Sequence, residues 1–154
     1  MHGFLTVFAD ASFCHRSMAA GYAIWARDDD RKVARHAPIP VPMESSGSAE
    51  LFALSLGILE AIDSLHHEPG FIVVAQSDCE HAIRILTGET TGSPEESGMR
   101  DSVRAALAAN GLNLRFKHVK GHTGDEDKRS YVNRWCDINA RREMRKARAL
   151  RDIK

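Results

Sequence analysis

The segment Leu5-Thr6-Val7-Phe8-Ala9-Asp10-Ala11-Ser12 constrains the fold more than any other part of the chain. Leu5, Val7 and Ala9 fall on one face of an extended strand, Thr6 and Phe8 on the other. Apolar side chains on both faces need cover on both. The strand therefore belongs in the middle of a sheet, not at its edge. It ends on a carboxylate. Asp10 can open a turn, since Asp and Ser often follow strands, or it can hold a charge at the rim of the sheet. The segment alone leaves both readings open, and other carboxylates at the ends of other elements have to decide between them.

After a polar stretch from Ser12 to Ser17, Ala19 to Ala26 reads as a second strand. Arg27 to Lys32 is a charged turn, and Val33 to Ile39 reads as a third strand bounded by Pro38, Pro40 and Pro42. Proline cannot donate to a ladder, so the third strand is expected at a sheet edge. The short connections describe an antiparallel meander. A helix is expected from about Ala49 to Leu65, where Phe52, Leu59 and Ile62 recur at helical spacing, with Ser46 or Ser48 as its N-cap. Phe71 to Ala75 is almost wholly apolar, as suits a parallel strand covered on both faces, and runs into Gln76-Ser77-Asp78. A short helix follows, about Cys79 to Leu86. Ser93-Pro94-Glu95-Glu96 then reads as a helix start, with a serine cap, proline in the first turn and acids at the positive end; Asn110-Gly111 is its stop. Leu112 to His118 alternates as a half-buried strand, Val119 to Gly124 is a loop, and an arginine-rich helix runs from about Tyr131 to Leu150. Three antiparallel strands followed by strand–helix units imply an α/β protein with a mixed sheet and helices on both faces.

The length of 154 residues fits one domain, 1–154, with a single core. The formal net charge is zero, so no overall basicity advertises nucleic acid, but the charge is unevenly spread. Eight Lys or Arg lie between Arg134 and the end against Asp137, Glu143 and Asp152, while Glu89 to Asp101 carries four acids against Arg100 alone. A local basic surface is compatible with a neutral total. The three cysteines, Cys14, Cys79 and Cys136, are odd in number and far apart. They argue against a disulfide framework and a zinc knuckle and for a reduced, cytoplasmic setting. The longest apolar run, Leu51 to Leu59, is too short to span a membrane, and because Met1-His2-Gly3 leads straight into the first strand no secretory leader is expected.

Asp10 and Asp78 each end a strand. If those strands are parallel neighbours, both carboxylates emerge at the carboxyl-end crevice where open α/β sheets place their sites. Glu50 lies in the first turn of the long helix beside the core candidates Leu51 and Phe52. Asp137 lies in the last helix among Trp135, Ile138 and Met144. Four converging carboxylates need a counter-charge, and carboxylate and water ligands favour Mg²⁺ or Mn²⁺. Two such ions would form a phosphodiester-cleaving centre. Any one of these acids alone reads better as a surface charge; the set of four outweighs that.

With these residues in view the sequence resembles the type 1 ribonuclease H family, and the resemblance covers nearly the whole chain. It is carried by Asp10-Ala11-Ser12, Ala49-Glu50-Leu51, Ser77-Asp78, Val119-Lys120-Gly121-His122-Thr123-Gly124 and Cys136-Asp137-Ile138-Asn139-Ala140-Arg141. The resemblance implies a five-stranded mixed sheet of order 3-2-1-4-5 and hydrolysis of the RNA strand of RNA–DNA hybrids, leaving 5′-phosphate and 3′-hydroxyl ends. It implies two Mg²⁺ ions, with Mn²⁺ as a substitute. Asp10 would bridge both ions, Asp137 would serve the water-activating one, and Glu50 and Asp78 the one on the leaving-group side. His122 would assist proton transfer or product release, although local sequence alone reads it as a solvated loop residue. Ser12, Ser46 and Asn133 match substrate-contacting positions, and Ser46 could meet the substrate backbone or a 2′-hydroxyl. The expected partner is an RNA–DNA hybrid, met by a monomer with no membrane attachment.

The sequence departs from the family pattern in places. Ala11 replaces a glycine, which an extended backbone tolerates. Ser46 and Gly47 replace asparagines, and Glu80 stands where glutamine is common. The Glu89–Asp101 region is acidic where some members carry a basic protrusion, so weaker hybrid affinity is expected unless Arg141, Arg142, Arg145, Lys146 and Arg148 compensate. The same fold hosts other nucleases, so a DNA junction or an RNA duplex is an alternative substrate. A non-catalytic nucleic-acid-binding module is a further alternative, against which the intact Asp10, Glu50, Asp78, Asp137 and His122 argue.

Overall fold

The computed structural model describes residues 3–118 and 128–152. Its elements are β1 (Phe4–Phe13), β2 (Ala20–Arg27), β3 (Lys32–Pro38), α1 (Ser46–Ser64), β4 (Ile72–Ser77), α2 (Glu80–Thr87), α3 (Pro94–Asn110), β5 (Asn113–His118) and α4 (Lys128–Asp152). The five strands form one sheet of order β3-β2-β1-β4-β5. β1 to β3 are an antiparallel meander, and β1, β4 and β5 are parallel to one another. The central strand is β1, as its two apolar faces require, and the proline-bounded β3 is an edge.

The two faces of β1 serve two cores. Leu5 and Val7 join Leu51, Leu54 and Ile58 of α1 and Val103 and Leu107 of α3. Phe8 faces the other way, with Ala23 of β2 and Val132, Cys136 and Ala140 of α4. Helices α1, α2 and α3 therefore lie on one side of the sheet and α4 on the other. Each fully buried leucine or isoleucine, such as Leu5, Ile24, Leu51 and Leu54, contributes about 1.5–3 kcal/mol through removal from water.

Some boundaries differ from the sequence expectation. β1 continues past Asp10 to Phe13, because Ser12 pairs with Gly21 and Phe13 with Ala20. Ladder partners from β2 outweigh the polar composition there. α1 starts earlier than expected and is capped by Ser45, whose hydroxyl accepts from Ser48 N–H at 3.1 Å. Neither Ser46 nor Ser48 is the cap; the segment holds several serine acceptors, and only the backbone turn chose among them. α3 begins with a closed capping box at Ser93 and ends on Gly111 in the left-handed region, as expected. The turn after β2 is tied down by Asp28, whose carboxylate accepts from the amides of Asp30, Arg31 and His66 at 2.7, 2.7 and 2.9 Å. All three cysteines are free. No helix among the described residues is long and apolar enough to cross a membrane.

Candidate active site

In the parallel pair β1–β4, Phe8 lies opposite Gln76. Two residues further along stand Asp10, still within β1, and Asp78, just past the end of β4. Both thus stand side by side just past the carboxyl end of the β1–β4 pairing, Asp10 still paired with Ala23 of β2, where strand order switches direction on either side of β1. Asp10 shares the face of Phe8, towards α4, and α4 supplies Asp137. Glu50 comes from the second turn of α1 on the opposite face. The backbone joins the two layers: Ala11 N–H donates to Asp10 Oδ1 at 2.9 Å and to Glu50 Oε1 at 3.2 Å. Ala11 can do this because it is extended, in register with Tyr22.

The electrostatics match this crowding. Burial pushes the Asp10 carboxyl up to about 6; its hydrogen bond with Glu50 pulls the other way, and the charges of Asp137 and Asp78 push it up further. Glu50 is driven far above its ordinary value, first by burial and then by the charge of Asp10, with a smaller push from Asp78. Without a cation the Asp10–Glu50 pair holds a proton that isolated carboxyls would have lost. Asp78 is exposed. Asp137 is half-buried and pairs with Arg141 one turn on, at 3.3 Å. Beneath the cluster lies Cys136, fully buried, its thiol pushed up by burial and by the charges of Asp10, Glu50 and Asp137. Such a thiol is inert.

The remaining expected residues are placed unevenly. Ser12 follows Asp10 on the same face of β1, half-buried. Ser46 is exposed in the first turn of α1. Asn133 lies one turn before Asp137 in α4 and is half-buried. His122 lies outside the described residues. Glu80 is exposed and lies beside Arg84 at 3.4 Å, so its charge is partly offset within α2. Of the acids in the 89–101 segment, Glu96 is buried, which the sequence did not reveal: in Ser93-Pro94-Glu95-Glu96 it reads as a dipole-complementing surface acid. Its partners Ser48 and His81 are distant in sequence.

Among the described residues, no three His, Cys, Asp or Glu side chains stand close enough together to grip one ion as they are. The donor set nevertheless fits a hard divalent cation. It offers only carboxylate oxygens, from β1, β4, α1 and α4, and two of these groups are pushed towards their protonated forms by burial and mutual repulsion that a cation would relieve.

A mixed sheet of this order, with carboxylates from strands and from both helix layers meeting at its carboxyl end, has the architecture of ribonuclease H-like hydrolases. The chain belongs to the RNase H family, whose model matches residues 2–145. It is a ribonuclease H-type hydrolase by that membership. Its fold is similar to the N-terminal RNase H domain of Rv2228c from Mycobacterium tuberculosis, solved as a maltose-binding-protein fusion (TM-score 0.73, 14% identity, covering 96% of this chain and 97% of that one). It is also similar to RNase H1 from the halophilic archaeon Halobacterium salinarum (TM-score 0.70, 18% identity, 94% and 100% covered). A third similar structure is LC11-RNase H1 in complex with an RNA/DNA hybrid (TM-score 0.68, 17% identity, 93% and 98% covered). No curated protein matches the sequence.

Proposed function

We propose that this protein is an endonuclease that hydrolyses the RNA strand of RNA–DNA hybrids and leaves 5′-phosphate and 3′-hydroxyl ends. The reading rests on one observation: Asp10 and Asp78 are neighbours just past the parallel pairing of β1 with β4, and Asp10 shares the Ala11 amide with Glu50 from one layer and meets the negative charge of Asp137 from the other. Asp10, Glu50, Asp78 and Asp137 would hold two Mg²⁺ ions, with Mn²⁺ able to substitute. Bound there, the metal supplies a water of lowered pKa and a counter-charge for the leaving oxygen. The protein's own work is to hold four carboxylates at fixed positions, with Asp10 central and Ala11 N–H orienting two of them. His122 would move a proton or help release product.

Ser12, Ser46 and Asn133 flank the carboxylates and would contact the substrate backbone, Ser46 from the exposed start of α1. A wider contact surface follows from α4. Arg134, Arg141, Arg145 and Arg148 are all exposed, and their spacing places them on one face of the helix. That row starts one turn from Asp137. On the same helix Glu143 is buried and pairs with Lys146 at 2.6 Å, so it does not offset the row. Such a row suits a phosphate backbone leading away from the site. The whole of residues 1–154 would act as a single domain, monomeric and cytoplasmic.

The test is incubation of an RNA–DNA hybrid with the protein and Mg²⁺, with EDTA, and with Asp10→Asn beside the wild type. Cleavage of the RNA strand alone, abolished by both EDTA and the substitution, is expected. An intact hybrid under both Mg²⁺ and Mn²⁺ would refute the assignment.

A further inference from the structure

One buried carboxylate takes no part in this chemistry. Glu96 is the third residue of α3 and only 6% exposed. Its Oε1 accepts from Ser93 N–H at 3.0 Å, while Ser93 Oγ accepts from Glu96 N–H at 3.2 Å. Its Oε2 accepts from Ser48 Oγ of α1 at 3.2 Å and meets His81 Nε2 of α2 at 2.5 Å. Ser48 is the third residue of its helix and His81 the second of its own. The N-terminal turns of all three helices on this side of the sheet thus converge on one carboxylate. Each brings the positive end of a helix dipole, which suits the negative charge.

The join is tight. Gly47 packs against the His81 ring so closely that a β-carbon would sit 2.7 Å from Cδ2. Taking a carboxylate out of water is unfavourable even when it is paired, and an apolar side chain would avoid that cost. What the carboxylate adds is direction: one oxygen reaches α1 and α2 at once only if the two helix starts stand at a set separation. Those starts carry the site. Ser48 is two residues before Glu50, and His81 three residues after Asp78. Asp78 itself is exposed, in a bend between β4 and α2, with no side-chain hydrogen bond of its own among the described residues.

We propose that Glu96, by clamping Ser48 to His81, is a positioning residue that fixes the separation of Glu50 from Asp78. The proposal rests on the reading of those two carboxylates as metal-holding groups. Its test is calorimetric titration of Mn²⁺ into the free protein, alongside kcat and KM on an RNA–DNA hybrid and thermal unfolding of each variant. His81→Ala breaks the clamp and leaves the capping box of α3 whole. It is expected to weaken Mn²⁺ binding about 3- to 10-fold, less than the 10- to 100-fold seen for partners bonded directly to metal ligands. It should lower kcat with KM for hybrid unchanged. His81→Gln, which keeps an N–H within reach of Glu96, should restore Mn²⁺ affinity and kcat. Ser48→Ala, which removes the α1 arm and a 3.3 Å contact from the Ser45 hydroxyl but keeps the backbone cap of α1, should shift both quantities in the direction of His81→Ala, and it carries the test should His81→Ala not fold. Folded His81→Ala or Ser48→Ala with wild-type Mn²⁺ affinity and kcat would overturn the proposal, whatever their melting temperatures. Wild-type protein that neither binds Mn²⁺ nor cleaves hybrid would instead overturn the reading of Glu50 and Asp78 on which it rests.

Discussion

Gly21 in β2 lies flush against Met144 in α4: a β-carbon on Gly21 would collide with the Met144 amide nitrogen and lie 2.6 Å from the Ala140 carbonyl oxygen. The contact is backbone against backbone, so no rotamer change relieves it. It sets how closely α4 approaches the sheet, and hence where Asp137 stands relative to Asp10. Gly21→Ala is expected to destabilise the protein by about 2–4 kcal/mol, in the range for overpacking that side chains cannot absorb. Urea unfolding followed by circular dichroism measures this. An unchanged midpoint would mean that α4 is not held by this approach.

Asp10→Asn is expected to abolish cleavage and yet raise stability in the absence of divalent metal. The Asp10 carboxyl lies above its unfolded value, at about 6 against 3.8. A carboxyl raised in the folded state contributes stability below its unfolded pKa and loses it as pH rises through the folded one. Metal-free wild type should therefore lose stability between about pH 4 and pH 6, and the Asp10→Asn variant should be spared most of that loss. At neutral pH the gain should be about 1–2 kcal/mol, the shift being discounted for partial exposure. Melting temperatures in EDTA across that range would show it. A variant less stable than wild type at pH 7 would contradict the crowding.

Asp28 works in the opposite sense. Burial alone would raise its carboxyl, but the amides of Arg31, His66 and Asp30 outweigh burial and hold it below its ordinary value. A depressed carboxyl contributes stability above its unfolded pKa of 3.8 and loses it as pH falls through the folded value. Asp28→Ala leaves three amides without their acceptor and should cost about 2 kcal/mol at pH 7. The deficit should shrink below pH 3.8, where wild type gives up the same bonds. Equal deficits at neutral pH and well below the unfolded pKa would show that the charge is not what matters.

Arg145→Ala combined with Arg148→Ala tests the row on α4. Each phosphate contact contributes close to one unit to the dependence of log affinity on log salt. The double variant should therefore flatten that slope by about 1–2 while leaving kcat at saturating hybrid unchanged. An unchanged slope would mean these arginines only solvate the helix. Affinity measured at several salt concentrations with a binding-competent, cleavage-dead background separates the two.

Much of the fold was legible in the chain. The two apolar faces of Leu5–Ala9 put β1 at the centre, and the unbroken apolar run at Phe71–Ala75 marked a covered parallel strand. Prolines marked the edge, and Ser93 with Gly111 marked both ends of α3. These signals are local: periodicity, caps and breakers act within a few residues. The end of β4 just before Asp78 was legible for the same reason, as the termination of a local pattern, whereas β1 runs three residues past Asp10.

What the chain could not show by itself was contact between distant segments. The extension of β1 to Phe13 depends on pairing with Ala20, and the choice of Ser45 over Ser46 and Ser48 depends on the path of the turn. Glu96 carried every local mark of a surface acid, and only packing turned it inward to Ser48 and His81. The sequence by itself determined which elements form and in what order, and that Asp10 and Asp78 follow the apolar runs of the two central strands, because those follow from the spacing of apolar and breaking residues along the chain. The tertiary structure alone decided that Asp10 and Glu50 share one backbone amide, that Cys136 lies beneath them, and that three helix starts meet at Glu96. Each of these is set by the separation of elements far apart in the chain, which burial and close packing fix only when the whole core assembles.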